Sequence, residues 1–163
     1  MARWFTMAIL VLFTSVATAV EVRFEPMAEN VYAHVGDIGA RSVANDGLNA
    51  NLGLVVTAAG AVLIDSGATW RSARDIQAAA RRVTSQPIRW VINTGGQDHR
   101  WLGNGYFQAQ GAELIAHASA VADMRSRGGD QLAALRSLLG AAADDTVPTL
   151  PTRLLEGPDT RLT

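Results

Sequence analysis

Cysteine and lysine are both absent from this chain of 163 residues. Without cysteine, no disulfide can constrain the fold and no thiolate can ligate a metal. A metal site would therefore need Asp, Glu and the histidines, which are His34, His99 and His117. All 14 basic residues are arginine and the formal net charge is −1. This near-neutral balance, without a basic stripe, argues against a nucleic-acid partner.

The N-terminus has the layout of a secretory signal peptide. Arg3 precedes an apolar run over residues 7–13, and Ala17-Thr18-Ala19 forms a small-residue cleavage signal. A membrane anchor is the alternative, but the run is shorter than the roughly 20 residues that span a bilayer. We expect removal of residues 1–19 on export to the periplasm or the extracellular space. Residues 20–163 then suffice for one modest domain with no membrane-spanning segment.

The first half of the chain predicts an α/β fold. Residues 31–39 resemble a strand that leads into a polar loop, and residues 53–67 resemble two strands around an Ala-Ala-Gly turn. Apolar residues at spacings of three and four predict a helix over residues 70–84, and residues 87–94 form the next strand. Such a strand–helix–strand unit favours a parallel pair with a right-handed crossover.

The second half of the chain predicts shorter elements. They are a helical turn at 105–110, a strand at 112–118, helices at 119–127 and 130–139, and a weak strand near the end. Gly128-Gly129 is expected to separate the two helices because glycine disfavours helix interiors. Gly140 is expected to end the second helix.

Polar residues follow two strands that are predicted to be parallel neighbours. Asp65 ends one strand, and Asp98 and His99 lie in the loop after the other. Because ligands gather at the carboxyl ends of parallel strands, we expect these three side chains to converge at one sheet edge. The commoner use of an Asp before Ser-Gly is a turn residue that accepts backbone hydrogen bonds, so this alternative stays open for Asp65.

His99 is the most suggestive side chain, because imidazole serves both as a metal ligand and as a general base. A catalytic zinc site needs three protein ligands, however, and this loop offers at most two, Asp98 and His99. His34 lies in a predicted strand and His117 in an apolar run, and neither has metal-ligand spacing to another residue. We expect both to be structural.

Gly95-Gly96 gives the same loop an alternative use. Consecutive glycines at a strand end can turn backbone N–H groups inward around an anion, and Arg100 lies nearby to pair with a carboxylate or phosphate. A phosphate-binding loop motif would require lysine, which this chain lacks. Small-anion binding is therefore a second hypothesis for this loop.

The order of these motifs resembles a known family. "ENVYAHVG", "NLGLVVTAAGAVLIDSG", an amphipathic helix, "PIRWVINT", a loop closing in "GN", and "GAELIAHA" follow one another along the chain. This set is similar to the N-terminal half of the metallo-β-lactamase-fold hydrolases over residues 31–118. The resemblance implies an αββα sandwich with a zinc site at one sheet edge. It also implies that this chain contains only the N-terminal half of that sandwich. It also implies a His-x-His-x-Asp-His ligand motif after Asn-Thr.

That ligand motif is broken in this chain. Counted without gaps from Asn93-Thr94 to Gly103-Asn104, the ligand positions hold Gly95, Gln97, His99 and Arg100. A register shifted by one keeps Asp98 and His99 but places Thr94 and Gly96 at the two earlier histidine positions. Glycine offers no ligand side chain, and arginine remains protonated and repels a cation.

Three hypotheses follow. In the first, the chain is a divergent exported zinc hydrolase of a small-molecule substrate. Asp98 and His99 hold the metal, Asp98 takes part in catalysis, and Asp65 orients the loop. In the second, it is a non-catalytic relative that binds a small anion through Gly95, Gly96 and Arg100. In the third, it is an inactive truncated remnant, because half a sandwich leaves one sheet face uncovered.

Overall fold

A computed structural model describes residues 21–157, so the predicted signal peptide and its cleavage site lie outside the described residues. Seven strands form one sheet whose spatial order follows the chain order. They are β1 Glu25–Ala28, β2 Val31–His34, β3 Leu52–Thr57, β4 Gly60–Ile64, β5 Ile88–Asn93, β6 Glu113–His117 and β7 Arg153–Leu155. Strands β1 to β4 pair antiparallel, and β4 to β7 pair parallel. The strand–helix–strand prediction is thereby confirmed.

Four α-helices connect or flank these strands. They are α1 Trp70–Val83, α2 Asp98–Trp101, α3 Asn104–Ala109 and α4 Ala118–Leu139, and a 3-10 helix at Gly140–Ala143 follows α4. Helix α1 begins with a capping box in which Thr69 and Ser72 satisfy each other's backbone N–H groups. Within residues 21–157, no helix combines the length and apolarity needed to cross a membrane.

The core lies on one face of the sheet. Inward-facing strand residues such as Leu54, Leu63 and Val91 pack with Ile76 of α1 and Phe107 of α3 in one buried cluster. A second cluster lies under α4, where Ala116 of β6 meets Trp101, Met124 and Leu135. Leu114 and Ala116 are two residues apart on β6 and so point to the same side. Both clusters, and the helices that form them, therefore cover the same face.

Helix α4 corrects the prediction of two helices separated at Gly128-Gly129. One helix of 22 residues runs through both glycines. Its buried positions recur at spacings of three and four and include Gly128: Val121, Met124, Gly128, Leu132, Leu135 and Leu139. Each glycine costs about 1 kcal/mol relative to alanine in a helix. Burial of this continuous apolar stripe offsets that cost.

Two other elements differ from the prediction. Strand β1 was not predicted, because all four of its residues are exposed and Pro26 interrupts any alternation. The first predicted strand ends at His34 rather than at residue 39, and residues 35–51 form an irregular segment. The loop after β5 contains the short helix α2, which begins at Asp98.

Candidate functional site

A cleft of about 450 Å³ opens at the carboxyl ends of β4 and β5. Asp65, Thr94, His99 and Arg100 line it from the two strand ends. The segment from Asn49 to Gly53 forms the opposite wall. The predicted sheet edge is therefore a concave site, and Asp65 and His99 both border it.

Asp65 fixes the start of the loop that follows β5. Its carboxylate accepts hydrogen bonds from the Thr94 backbone N–H at 2.8 Å and from the Thr94 hydroxyl at 2.7 Å. Asp65 is buried in a left-handed backbone conformation, with φ of 62°, which costs a non-glycine residue about 1–3 kcal/mol. Burial raises the pKa of its carboxyl, and the Thr94 hydrogen bonds and the charge on Arg100 oppose that rise.

A buried network of amide and hydroxyl groups holds both ends of the same loop. The side chains of Asn93 and Asn104 exchange hydrogen bonds of 2.8 and 3.1 Å, and Ser66 donates to Asn104 at 2.8 Å. Asn93 also donates to the Arg100 carbonyl, and Asn104 to the Thr149 carbonyl. No role was predicted for Asn93 or Asn104 from the sequence. The segments that contain them, "INT" and "GN", mark where the loop leaves the core and where it returns.

Asp98 faces away from the cleft. Its carboxylate forms an ion pair with Arg41 and accepts a hydrogen bond from the His99 backbone N–H at 2.9 Å. It lines a smaller cavity of about 270 Å³ together with Arg41, Gln97 and Arg127. His99 borders both cavities. His99 and Asp65 thus line the same cleft, whereas Asp98 lines the neighbouring cavity.

The imidazole of His99 has an unused nitrogen. Nδ1 is buried without a hydrogen-bond partner and lies 3.5 Å from Asp98 Oδ1. Burial lowers the pKa of His99, and the positive charges of Arg100 and Arg41 lower it further. These effects favour the neutral form of the ring.

Arg100 brings a fixed positive charge to the cleft. Its guanidinium donates one hydrogen bond, to the Thr94 hydroxyl at 2.9 Å. It forms no ion pair within residues 21–157. A Cβ added at Gly95 would lie 3.5 Å from Nη1 of Arg100, so Gly95 is directly beside this guanidinium.

Gly96 is closed off by helix α4. A Cβ added there would collide with the carboxylate of Asp123, and Gln131 donates to the Gly96 carbonyl at 2.7 Å. Asp123 is itself paired with Arg127. A carboxylate therefore already covers this part of the predicted anion nest, which leaves Arg100 on the cleft with Gly95 beside its guanidinium.

The side chains present do not fit a zinc ion. A catalytic zinc site requires three protein ligands. Here Asp98 is paired with Arg41, Asp65 is engaged by Thr94, and Arg100 adds positive charge. In the described part of the chain, no three His, Cys, Asp or Glu side chains lie together as a metal-binding group. Among the described residues that line the cleft, His99 Nδ1 and Asn49 Oδ1 are the two buried side-chain atoms without a hydrogen-bond partner.

The other two histidines make local contacts. His117 accepts a hydrogen bond from the Ser119 backbone N–H at 3.2 Å and so caps the start of α4. His34 Nδ1 lies 3.2 Å from the Arg23 carbonyl in the neighbouring segment. Neither lines the cleft, which agrees with the structural roles expected for both.

This arrangement defines a class of protein: an α/β layer with a candidate ligand site at the carboxyl edge of the sheet. The family model of the metallo-beta-lactamase superfamily matches residues 45–162. The chain therefore belongs to the metallo-β-lactamase superfamily, as the sequence resemblance predicted. A search of curated proteins found no significant match.

Solved metallo-β-lactamases share this fold. The enzyme from Hirschia baltica aligns with a TM-score of 0.61 and 19% sequence identity. The alignment covers 85% of this chain and 53% of the Hirschia baltica chain. The enzyme from Pontibacter korlensis aligns with a TM-score of 0.60 and 17% identity, and the alignment covers 88% of this chain and 56% of that enzyme. The mono-zinc form of FIM-1 from Pseudomonas aeruginosa aligns with a TM-score of 0.57 and 20% identity, and the alignment covers 67% of this chain and 47% of FIM-1. The chain spans about half the length of these structures, which fits the predicted partial α/β domain.

Proposed function

We propose that this protein is an exported, hydrolase-like member of the superfamily whose cleft binds a small anionic molecule. The observation that carries the proposal is the position of Arg100. Its guanidinium lines the cleft, stands at a motif position that holds a zinc ligand in the family pattern, and has no carboxylate partner among residues 21–157. A guanidinium with unused N–H donors pairs well with a carboxylate or phosphate.

The surroundings of Arg100 favour a small ligand with one acidic group. Asp65 borders the same cleft, and its charge disfavours an anion on that side. Burial favours the neutral ring of His99, which can donate one hydrogen bond to a ligand. A ligand would therefore place its acidic group against Arg100 and a neutral polar part towards Asn49 and Asn51. Anion binding at Arg100 replaces the predicted nest at Gly95 and Gly96 with a side-chain site.

The second candidate is weak zinc-dependent hydrolysis. The unpartnered Nδ1 of His99 supports it, together with membership of the superfamily. The sequence hypothesis assigns Asp98 and His99 as metal ligands and Asp65 as the residue that orients the loop, so metal binding would first require Asp98 to leave its ion pair with Arg41. Any further ligands would have to come from outside the described residues, so we expect weak zinc affinity and little or no hydrolysis from this chain alone.

Calorimetry separates the two candidates. Acetate, succinate, inorganic phosphate and zinc are titrated separately into the purified protein, into Arg100→Ala, and into Arg125→Ala. Arg125 is an exposed arginine of α4 and serves as the matched control. We expect at least one anion to bind to the wild type and to the control, with an affinity reduced at least tenfold in Arg100→Ala.

Two results would count against these proposals. Equal anion affinity in Arg100→Ala would remove Arg100 as the binding group. Zinc affinity that is unchanged in His99→Ala would remove the metal candidate.

Export is tested separately, by sequencing the N-terminus of the protein recovered outside the cytoplasm. We expect Val20 as the first residue, and an intact Met1 would contradict cleavage after Ala19.

A further inference from the structure

Asp98 is a buried carboxylate that one guanidinium neutralises. The residue is 7% exposed, and its Oδ2 forms an ion pair with Nη1 of Arg41. Its Oδ1 accepts the His99 backbone N–H at 2.9 Å and lies 3.5 Å from Nδ1 of the same residue. A carboxylate that is taken out of water needs a positive partner beside it. Arg41 supplies that charge from the β2–β3 connection, which is distant in sequence.

The β2–β3 connection holds Arg41 in a fixed position. A Cβ added at Gly36 would collide with the backbone of Ala50, so the two ends of the connection touch. Residues 36–50 therefore form an Ω-loop, a compact surface loop whose ends lie together. The same loop is tied to α1 by the ion pair between Asp46 and Arg71. Arg41 is thus carried by a loop that is fastened at its neck and at a second point.

Two further polar atoms belong to residues that line the same cavity as Asp98 and Arg41. They are Nδ1 of His99 and Oδ1 of Asn49, and both are buried without a hydrogen-bond partner in the described part of the chain. Carboxylate oxygens and imidazole nitrogens are zinc ligands, and amide oxygens also bind divalent cations. These three groups would suit a cation, but the fixed positive charge of Arg41 beside Asp98 repels one.

We propose that Arg41 is a built-in cation that takes the place of a metal ion at Asp98 and His99 and thereby excludes one. The guanidinium is always protonated, so it satisfies the buried carboxylate without any ion from solution. The inference concerns the cavity of Asp98. It does not depend on anion binding at Arg100, which lines the cleft and not this cavity.

The remaining side chains of the cavity leave Arg41 as the deciding charge. Arg127 also lines it, but that guanidinium forms a two-point ion pair with Asp123. The other lining residues from α4 and the loop before α2 are glutamines, which carry no charge. Removal of Arg41 therefore leaves Asp98 without a fixed positive partner, and a divalent cation from solution can then compensate it.

Thermal unfolding with and without zinc tests the proposal. In the presence of a chelator, Arg41→Ala is expected to lower the Tm by roughly 5–10 °C, because it leaves a buried carboxylate uncompensated. A small molar excess of zinc is expected to restore at least half of that loss, since a ligand of the folded state stabilises it. The wild type is expected to gain less than about 1 °C from the same addition.

Arg71→Ala is the matched control for this measurement. The two arginine side chains are similarly exposed, at 34% for Arg41 and 36% for Arg71, and each pairs with a buried Asp. Asp46, the partner of Arg71, also accepts from Thr69 but has no histidine among its described partners. Arg71→Ala is therefore expected to lose stability in the same way and to gain nothing from zinc.

Double variants identify the metal-binding groups. Zinc affinity of Arg41→Ala, measured by competition with a chromogenic chelator, is expected to be at least tenfold higher than that of the wild type. Adding His99→Gln should remove this gain. Adding His117→Gln should preserve it, because His117 caps α4 and does not line the cavity.

Three results would overturn the proposal. They are equal stabilisation of the wild type and Arg41→Ala by zinc, a folded Arg41→Ala that gains nothing from zinc, and an equal gain in Arg71→Ala. Should Arg41→Ala fail to give native circular dichroism, Arg41→Gln repeats the test, because glutamine keeps a polar side chain at this position without the charge.

Discussion

The indole ring of Trp101 packs directly against Gly128, in the middle of α4. A Cβ added at Gly128 would lie 2.8 Å from Cη2 of that ring. Trp101 is completely buried, and its Nε1 donates to Gln131 one helical turn further on, at 3.0 Å. Gly128, which the sequence pattern predicts as part of a break between two helices, therefore lets α4 lie close to the loop of the cleft.

This contact predicts opposite effects for two adjacent glycines. Gly128→Ala is expected to lower the free energy of unfolding by about 1–3 kcal/mol, because the added methyl overpacks Trp101. Gly129→Ala is expected to raise it by about 0.5–1 kcal/mol, because Gly129 is exposed with nothing within 4 Å of an added Cβ. Urea denaturation of both variants checks the pair. Stabilisation by both would show that α4 does not need glycine at position 128.

The buried amide network predicts that Asn104 is a structural residue of the cleft. Asn104→Ala removes a hydrogen-bond partner of Ser66, of Asn93 and of the Thr149 carbonyl. We expect a loss of roughly 2–4 kcal/mol in unfolding free energy, since each unsatisfied buried group costs about 1–3 kcal/mol. Gln108→Ala, an exposed position on the same helix, is the control and should change stability by less than about 0.5 kcal/mol. Equal stability of the two variants would contradict the network's role.

The lowered pKa of His99 predicts a pH dependence of stability. The folded state disfavours its protonation, so at mildly acid pH the unfolded chain binds more protons than the folded chain. The free energy of unfolding should therefore fall as pH drops through about 6.5, the ordinary pKa of histidine. Burial also lowers the pKa of His34, which gives a contribution of the same sign.

Variants separate these two contributions. In denaturant titrations from pH 8 to about pH 5, His99→Gln and His34→Gln should each show a shallower fall than wild type. A His99→Gln slope equal to that of wild type would mean that the folded state does not resist protonation of His99.

The steric difference between Gly95 and Gly96 predicts which glycine can be converted into a metal ligand. Gly95→His combined with Arg100→His places two new imidazoles near His99 and removes the fixed positive charge. Zinc affinity, measured by competition with a chromogenic chelator, should rise at least a hundredfold over wild type. Gly96→His with Arg100→His is the control and should bind zinc no better than Arg100→His alone, because position 96 is closed by Asp123. Equal gains from both pairs would contradict the placement of α4 against Gly96.

The sequence predicted the sheet and α1 well because local patterns determine them. The hairpin of β3 and β4, the helix over Trp70–Val83 and the parallel pairing of β4 with β5 all follow from apolar periodicity and turn residues. Strand β1 was missed because none of its residues is buried, so no alternation is visible. The continuity of α4 was missed because it depends on a contact with Trp101, which lies 27 positions earlier in the chain.

The candidate site was predicted only in part for a similar reason. The edge of the sheet and the presence of Asp65, His99 and Arg100 there follow from strand order. Two features could not be read from the loop alone. Arg41 comes from the β2–β3 connection and pairs with Asp98, and Asp123 comes from α4 and covers Gly96. Both partners are distant in sequence and leave no local pattern.

The order of the strands has a consequence for how the chain folds. Every strand of the sheet pairs with the strand that precedes it in the sequence. Each strand therefore adds to a neighbour that has already been synthesised, which limits the loop that must close at each step. Folding can therefore proceed in the order of synthesis, with β1 to β4 forming a meander before α1 is complete. The last strands would then add to a template that already exists.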